Sequence, residues 1–130
     1  MKAIVVIPTY NESSNIEKII SAVLKSAPEI HVLIVDDNSP DGTSALVEAM
    51  MKTDERIRLL RRAGKLGLGT AYCEGFTLAL GWGYEIIMEM DADFSHNPDD
   101  IPRFLEELRT NDVVIGSRYS NGVNVVNWPM

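Results

Sequence analysis

The chain has 130 residues, 45% of them hydrophobic and 24% charged, a composition that excludes an intrinsically disordered protein and allows one domain with a substantial core. Its formal net charge of −7 argues against a nucleic-acid-binding protein, because phosphate backbones are held by clustered Lys and Arg and the one basic cluster, within residues 56–65, is short. We find no signal peptide and no apolar run of roughly 18 residues that could span a membrane. Cys73 is the single cysteine, so it cannot form an internal disulfide, and we expect it to be buried in a helix. We therefore predict a cytoplasmic protein.

Short β-branched runs alternate with amphipathic segments along the chain. A continuously apolar run predicts a strand at residues 3–7, ended by Pro8, and largely apolar runs predict further strands at 31–35, 57–60, 85–90 and 113–115. Helical spacing predicts a helix after a capping box at Ser14 and Glu17, and further helices after Thr43, after the glycine-rich turn 64–69 and from Pro98. This alternation is typical of an α/β fold, with a mostly parallel sheet, helices on both faces and right-handed crossovers.

Each predicted helix has one apolar stripe that we expect to be buried. The stripes of the last three helices are Leu46, Val47, Met50 and Met51; then Ala71, Tyr72, Phe76, Ala79 and Leu80; then Ile101, Phe104, Leu105 and Leu108. Beyond Asn121 neither the helical nor the strand period continues. We therefore expect residues 1–120 to form the core domain and residues 121–130 to begin a truncated segment.

Polar loops follow the five predicted strands. They read P-T-Y-N-E at 8–12, D-D-N-S-P-D-G-T at 36–43, G-K-L-G-L-G-T-A-Y at 64–72, D-A-D at 91–93 and G-S-R-Y at 116–119. Ligands of open parallel sheets bind in the crevice beyond the carboxyl ends of the strands. We therefore expect all five loops to lie at one edge, around one binding site.

The D-A-D loop is the strongest candidate for a metal site. If Asp91 and Asp93 continue the preceding strand, strand alternation points both carboxylates the same way. Two carboxylates facing one point suit Mg²⁺ or Mn²⁺, which typically takes one or two of them together with substrate phosphates and water. The alternative is that these acids cap the next helix or lie in water. An EF-hand calcium loop is excluded, because it needs glycine and glutamate at the positions that His96 and Pro102 occupy here.

The other loops offer weaker candidates. Asp36 or Asp37 suits hydrogen bonding to a ribose or a base edge, while Asp41 suits capping of the next helix; a purely structural loop is the alternative. Lys65 is either a point charge for a phosphate or a solvated side chain, and the glycines around it suit close backbone packing. Arg118 has the planar fork that binds phosphate oxygens in pairs. His31 and His96 are assigned no functional role.

Taken together, the loop sequences resemble those of the GT-A glycosyltransferases of family 2, in the same order and over Met1 to Tyr119. Within that family the chain is similar to the catalytic domain of the polyprenol-phosphate (dolichol-phosphate) mannosyltransferases. The resemblance implies a metal and diphosphate site at Asp91, Ala92 and Asp93, with Arg118 on the phosphates and Ser95 where the family often has glutamine. It also implies contacts to the nucleoside of a GDP-sugar from Pro8, Tyr10, Glu12, Val35 and Asp37.

The implied activity is transfer of mannose from GDP-mannose to a polyprenyl phosphate at a membrane surface, assisted by Mg²⁺ or Mn²⁺, with Asp91, Asp93 and Arg118 as the catalytic residues. That acceptor would bring a cytoplasmic protein to the cytoplasmic face of a membrane. Two alternatives stay open from the sequence. One is a family 2 transferase that uses a UDP-sugar, with a polyprenyl phosphate or a saccharide as acceptor, and the other is a nucleotide-binding fragment without turnover.

Overall fold

The computed structural model describes residues 2–64, 67–93 and 96–108, together with the strands at 113–116 and 123–126. Its strands are β1 (Ala3–Thr9), β2 (Ile30–Asp36), β3 (Ile57–Arg61), β4 (Ile86–Glu89), β5 (Val113–Gly116) and β6 (Val123–Val126). Its helices are α1 (Ile16–Ser26), α2 (Thr43–Met51), α3 (Leu68–Gly81) and α4 (Ile101–Glu107), the last preceded by a 3₁₀ turn at Pro98–Asp100.

Strands β1 to β4 form one parallel sheet in the order β3-β2-β1-β4. The α/β prediction is confirmed for this part of the chain. Strand β5 differs from the prediction, because it pairs antiparallel with β6 in a separate two-stranded sheet. Strand β6 lies where the sequence predicted no regular element, since its Asn124 interrupts the apolar run that signals a buried strand.

Helices cover both faces of the sheet, as predicted. Along β1, Ala3, Val5 and Ile7 face a core that contains apolar side chains of α1, α2 and α4. The alternate residues Ile4 and Val6 face a second core under α3. Both faces of β1 are therefore buried, which explains why its sequence is continuously apolar and not alternating.

Pro8 lies inside β1 and does not end it, contrary to the prediction. The backbone nitrogen of Met90 donates to Val6 O on the β4 side of β1, and alternate residues of a strand present their backbone groups to the same side. The N–H that Pro8 lacks would therefore point towards β4, whose pairing with β1 has already ended at Glu89. A proline is tolerated here because no ladder hydrogen bond is lost.

The predicted capping box at the start of α1 is wrong. The N-cap residue is Asn15, and its side chain makes no capping hydrogen bond. Instead, the backbone nitrogens of Asn15 and Ile16 both donate to the carbonyl of Glu12. The first helical N–H groups are thus satisfied by a backbone turn that belongs to the P-T-Y-N-E loop.

Three residues predicted to be buried are exposed. Leu80 is 66% exposed and Met51 37% exposed, and Cys73 is also exposed. On α3 the buried positions are Ala71, Gly75 and Ala79, spaced by four residues. Cys73 lies halfway between two of them, on the opposite side of the helix.

Close packing of α3 on the sheet depends on Gly75. A Cβ added there would lie 2.5 Å from Val6 Cγ1 and 3.3 Å from Val35 Cγ2. The prediction that the glycine-rich turn packs closely is wrong. A Cβ added at Gly64, Gly67 or Gly69 would meet no atom closer than 4.0 Å. Gly67 is needed for another reason, its φ of +104°.

Gly75→Ala is expected to destabilise the protein by about 1–3 kcal/mol, because the added methyl group overpacks a core with no space for it. Gly69→Ala is the matched control in the same helix, where the added Cβ meets open space and alanine is the better helix former by up to about 1 kcal/mol. Urea unfolding of both variants measures the difference. Equal stability of the two would show that α3 does not pack on β1 as described.

Candidate active site at the carboxyl edge of the sheet

The carboxyl ends of β1 to β4 meet at one edge of the parallel sheet. After β1 the chain crosses to β2 on one side, whereas β4 lies on the other side of β1. This reversal is a topological switch point, where open α/β sheets form their binding crevice. The loop after β1 and the D-A-D loop after β4 lie on the two sides of that point, as predicted. The loop after β5, which was expected at the same edge, lies outside the described residues, and β5 itself belongs to a separate sheet.

The loops after β1 and β2 are joined by hydrogen bonds. Thr9 Oγ1 and Ser39 Oγ both donate to Asp36 Oδ1 at 2.7 Å, and the Asn11 backbone nitrogen donates to Ser39 Oγ at 2.9 Å. Asp36 is 1% exposed, so its charge is buried among hydroxyl and backbone donors. Of the two acids that the sequence offered to a ligand, Asp36 holds the loops together.

A second set of bonds ties the P-T-Y-N-E loop to the start of α2. The Glu12 backbone nitrogen donates to Thr43 Oγ1 at 3.1 Å, and the Ser13 backbone nitrogen donates to Asp41 Oδ2 at 3.0 Å. Asp41 Oδ1 also accepts from the Thr43 nitrogen at 3.1 Å, which bears out its predicted capping role although Gly42 is the N-cap residue. The Thr43 hydroxyl donates to Asp41 Oδ1 as well, at 2.5 Å. These donors, with the Thr43 hydroxyl as the largest contribution, lower the pKa of Asp41 to about 2.

Asp41 should therefore contribute stability that depends on pH. Its pKa is lower in the folded state than in the unfolded chain, so its contribution is present above about pH 4 and is lost as the pH falls towards about 2. We expect Asp41→Asn to be less stable than the unmodified chain at pH 5, and the difference to shrink between pH 4 and pH 2. Urea unfolding across this range tests it, and a difference that stays constant would contradict the assigned bonds.

Asp37 forms a buried ion pair with Arg62. Arg62 Nε donates to Asp37 Oδ1 at 2.6 Å and its Nη2 donates to Oδ2 at 2.9 Å; the two side chains are 2% and 9% exposed. Arg62 also donates to the Gly67 carbonyl at 3.2 Å and to Thr70 Oγ1 at 3.0 Å. It thereby links the loop after β2 to the start of α3. The sequence gave no sign of this role, because the partners are 25 residues apart.

The D-A-D loop lies just past β4, not on it. The strand ends at Glu89, so the premise of strand alternation was wrong for Asp91 and Asp93. The intervening Ala92 is nevertheless the buried residue of the three, at 4% exposure, while Asp91 is half-buried and Asp93 exposed. Ala92 packs into the core and anchors the loop, with one acid on each side of it.

Asp91 is held by its side chain and by its backbone. Tyr72 OH donates to Asp91 Oδ1 at 3.0 Å, and the Asp91 nitrogen donates to His96 Nδ1 at 3.2 Å. Burial, followed by the hydrogen bond and charge of Asp91, raises the pKa of Tyr72. The phenol therefore stays protonated at physiological pH and acts as a hydrogen-bond donor to Asp91. Neither contact was predicted from the sequence.

The remaining acids of this region serve the next helix. Asp99 and Asp100 form the 3₁₀ turn before α4, with the Asn97 side chain accepting from the Asp99 nitrogen, and Asp100 faces Arg103 at 3.8 Å. Acids are favourable at a helix N-terminus. The acidic run thus separates into two acids beside the crevice and two acids at a helix start.

The chemistry of the loop suits a hard divalent cation bound jointly with a ligand. Carboxylate oxygens are preferred by Mg²⁺ and Mn²⁺. Among the described residues, no group of three or more His, Cys, Asp or Glu side chains is arranged to hold a metal. Two carboxylates with phosphate and water oxygens fit a cation that arrives with a diphosphate, whereas a resident metal usually has a fuller set of protein ligands.

The other predicted site residues are placed unevenly. Tyr10 is exposed and Glu12 is half-buried in the loop after β1, and Pro8 is half-buried within β1. Val35 is fully buried beneath α3, and its contact with a nucleoside stays a prediction. Lys65, Ser95 and Arg118 lie outside the residues that the structure describes.

Comparison with known proteins identifies the family. The family model described as Glycosyl transferase family 2 matches residues 4–130. The chain belongs to glycosyltransferase family 2. The family resemblance found in the loop motifs is therefore confirmed.

Two curated relatives of this family 2 glycosyltransferase are similar over nearly its whole length. A polyprenol monophosphomannose synthase of Mycolicibacterium smegmatis is 45% identical over 98% of this chain and 49% of its own. An undecaprenyl-phosphate mannosyltransferase of Micrococcus luteus is 45% identical over 99% of this chain and 53% of its own. The chain spans about half the length of these relatives.

Solved structures show that the fold is of the GT-A type. A mannosyltransferase of Pyrobaculum calidifontis in complex with GDP-mannose and Mn²⁺ matches 71% of this chain and 27% of its own, with a TM-score of 0.63 and 27% identity. A glucosyl-3-phosphoglycerate synthase of Mycobacterium tuberculosis matches 84% of this chain and 40% of its own, with a TM-score of 0.65. At 22% identity the second likeness concerns the fold alone.

Proposed function

We propose that this chain carries the donor-binding core of a mannosyltransferase that moves mannose from GDP-mannose to a polyprenyl phosphate. The observation that carries the proposal is the position of the D-A-D loop across the switch-point crevice from the hydrogen-bonded loops after β1 and β2. The two curated mannosyltransferases at 45% identity support the sugar and the acceptor class. The Pyrobaculum complex supports GDP-mannose and a divalent cation.

The nucleoside is assigned to the loops after β1 and β2. Pro8, Tyr10 and Glu12 would contact it from the first loop, and Asp37, held in place by Arg62, from the second. Asp36 and Asp41 would fix the two loops in their mutual positions without touching the ligand. Because these loops are already joined, binding would require little ordering of the backbone.

The diphosphate is assigned to the D-A-D loop. Asp91 and Asp93 would hold Mg²⁺ or Mn²⁺ on it, with Ala92 fixing the loop, and Lys65 and Arg118 would contact the phosphate oxygens. When bound, the cation would supply charge stabilisation to the leaving nucleoside diphosphate. Through that cation the two carboxylates would orient the leaving group, because their loop is anchored by a buried alanine and by the Tyr72 hydroxyl.

The acceptor class sets what further chemistry the protein must supply. A polyprenyl phosphate is already an anion near neutral pH, since its second pKa is about 6 by analogy with phosphoserine. It needs no strong general base, whereas a sugar hydroxyl would need one. The proposal therefore requires no further catalytic carboxylate.

The remaining assignments concern the whole protein. We assign residues 1–120 to the donor-binding core and residues 121–130, which include β6, to the beginning of the acceptor side. None of the helices described is long and apolar enough to cross a membrane. We place the protein in the cytoplasm, peripheral at the cytoplasmic face of a membrane, where its lipid acceptor would lie.

Calorimetric titration with GDP-mannose, GDP and UDP-glucose, each with and without Mn²⁺, tests the proposed donor. We expect GDP-mannose and GDP to bind in a Mn²⁺-dependent manner and UDP-glucose to bind more weakly. Tighter binding of UDP-glucose would instead identify a UDP-sugar transferase of the same family. Transfer of radiolabelled mannose into polyprenyl phosphate then separates an enzyme from a nucleotide-binding fragment without turnover.

A further inference from the structure

The phenol of Tyr72 lies beside a carboxylate of the crevice although it belongs to a different element. Tyr72 is in α3, on the far side of the glycine-rich turn, and its OH donates to Asp91 Oδ1 at 3.0 Å. We propose that Tyr72 is a positioning residue that fixes the Asp91 carboxylate for binding of the divalent cation. The inference rests on the proposed function, because it assigns a role within the same site.

Asp91 lies just past the point where the sheet holds the chain. The last backbone hydrogen bond between β4 and β1 runs from the Met90 nitrogen to Val6 O, so the strand ladder ends one residue before Asp91. The Asp91 nitrogen donates to His96, an exposed side chain. The Tyr72 hydrogen bond therefore fixes the side-chain torsions of Asp91 where the sheet no longer does.

Tyr72 is itself held rigidly. Its helix packs on β1 and β2 through Gly75, where the backbone lies too close to Val6 and Val35 for any side chain. The half-buried ring of Tyr72 also packs against Phe76, with ring centroids 5.9 Å apart. A hydroxyl on a fixed ring holds its acceptor in one orientation, which reduces the conformational entropy that the carboxylate loses when it binds a cation.

Hydrogen bonds to a metal-binding carboxylate usually affect metal affinity as well as structure. Removing such an outer partner typically weakens metal binding by 10–100-fold. The alternative is that the hydroxyl only satisfies its own hydrogen-bonding need, as buried tyrosines commonly do. These two roles predict different responses to the Mn²⁺ concentration, and the chain provides a control for the second.

The control is Tyr84, whose hydroxyl lies at the opposite, amino edge of the sheet. It is within 2.6 Å of His31 Nδ1 and accepts from Arg58 Nε at 3.2 Å. Tyr84→Phe removes the same atom as Tyr72→Phe, and it also breaks hydrogen bonds of a buried residue. It does so far from Asp91.

The test is titration of Mn²⁺ into this chain with saturating GDP, with free Mn²⁺ followed by electron paramagnetic resonance. We expect Tyr72→Phe to weaken Mn²⁺ binding by about tenfold, and Tyr84→Phe to leave it unchanged. We further expect GDP affinity in Tyr72→Phe to recover when Mn²⁺ is raised in proportion. Recovery of this kind is specific to the metal, since loss of structure would not be restored by more Mn²⁺.

Three outcomes would overturn the inference while leaving the proposed function intact. Equal or tighter Mn²⁺ binding by Tyr72→Phe would show that its hydroxyl does not position Asp91, and an equal loss in Tyr84→Phe would show a general effect on stability. GDP binding by Tyr72→Phe that stays weak at high Mn²⁺ would likewise show a structural role. If the unmodified chain binds GDP without any dependence on Mn²⁺, the proposed function itself fails, and the role of Tyr72 fails with it.

Discussion

Replacing Asp93 with asparagine is expected to abolish Mn²⁺-dependent binding of GDP, a loss on the order of 100-fold or more, while the fold stays intact. An amide oxygen carries no net charge and is a much weaker ligand than a carboxylate for a hard cation. Asp93 is exposed, so the substitution removes no core contact. We expect the same result for Asp91→Asn, with calorimetry of GDP binding as the measurement for both.

Asp99→Asn is the matched control for these two variants. It removes one carboxylate from the same acidic run, but from the exposed position of the 3₁₀ turn that precedes α4. The Asn97 cap bonds to the backbone nitrogen of Asp99, so the turn should persist. GDP binding should depend on Mn²⁺ as in the unmodified chain. If Asp93→Asn behaved like Asp99→Asn, the metal site would lie elsewhere and D-A-D would be a structural loop.

Replacing Arg62 with methionine is expected to destabilise the protein by about 3–5 kcal/mol, because it leaves the Asp37 carboxylate buried without its partner. The side chains of the pair are 2% and 9% exposed, and Arg62 also anchors the Gly67 carbonyl. Arg62→Lys should retain only part of the stability, since an ammonium group cannot reproduce the two-pronged geometry. Urea unfolding at neutral pH measures all three proteins.

A double variant separates the ion pair from the packing of the arginine. Asp37→Asn combined with Arg62→Met removes the buried charge that the single variant leaves behind. We expect the pair to be less destabilised than the sum of the two single variants, by about 1–3 kcal/mol. Strict additivity would mean that Asp37 and Arg62 do not interact in solution as they do in the structure.

The sheet could be predicted from the sequence because its evidence is local. Strands buried on both faces have nearly continuous apolar runs, and residues 3–7 and 32–35 are such runs. The separate pairing of β5 with β6 was missed because it is decided by tertiary contacts. The exposure of Leu80 was missed for a similar reason, since which side of α3 packs on the sheet depends on Gly75.

The candidate site was predictable at the level of loops and not of contacts. Chain order and the rule for parallel sheets placed D-A-D near P-T-Y-N-E, and the structure agrees. The contacts between loops join residues that are distant in sequence, such as Arg62 with Asp37 and Tyr72 with Asp91. No local pattern encodes these pairings. The different roles of two adjacent acids also depend on tertiary contacts. Asp36 accepts hydrogen bonds that join two loops, whereas Asp37 pairs with Arg62.

The strand order has a consequence for the way the site is made during synthesis. Strands β1, β2 and β3 are neighbours both in the chain and in the sheet, so the loops after β1 and β2 can assemble once α2 and β3 have emerged. Strand β4 must instead return to the free side of β1 after α3 has crossed the sheet, which is the longest loop closure among these four strands. The carboxylates of the D-A-D loop therefore reach the crevice last. We therefore expect a folding chain to pass through a stage in which the loops after β1 and β2 have formed while the D-A-D loop has not, and a nucleotide bound as proposed at that stage would lack the proposed cation.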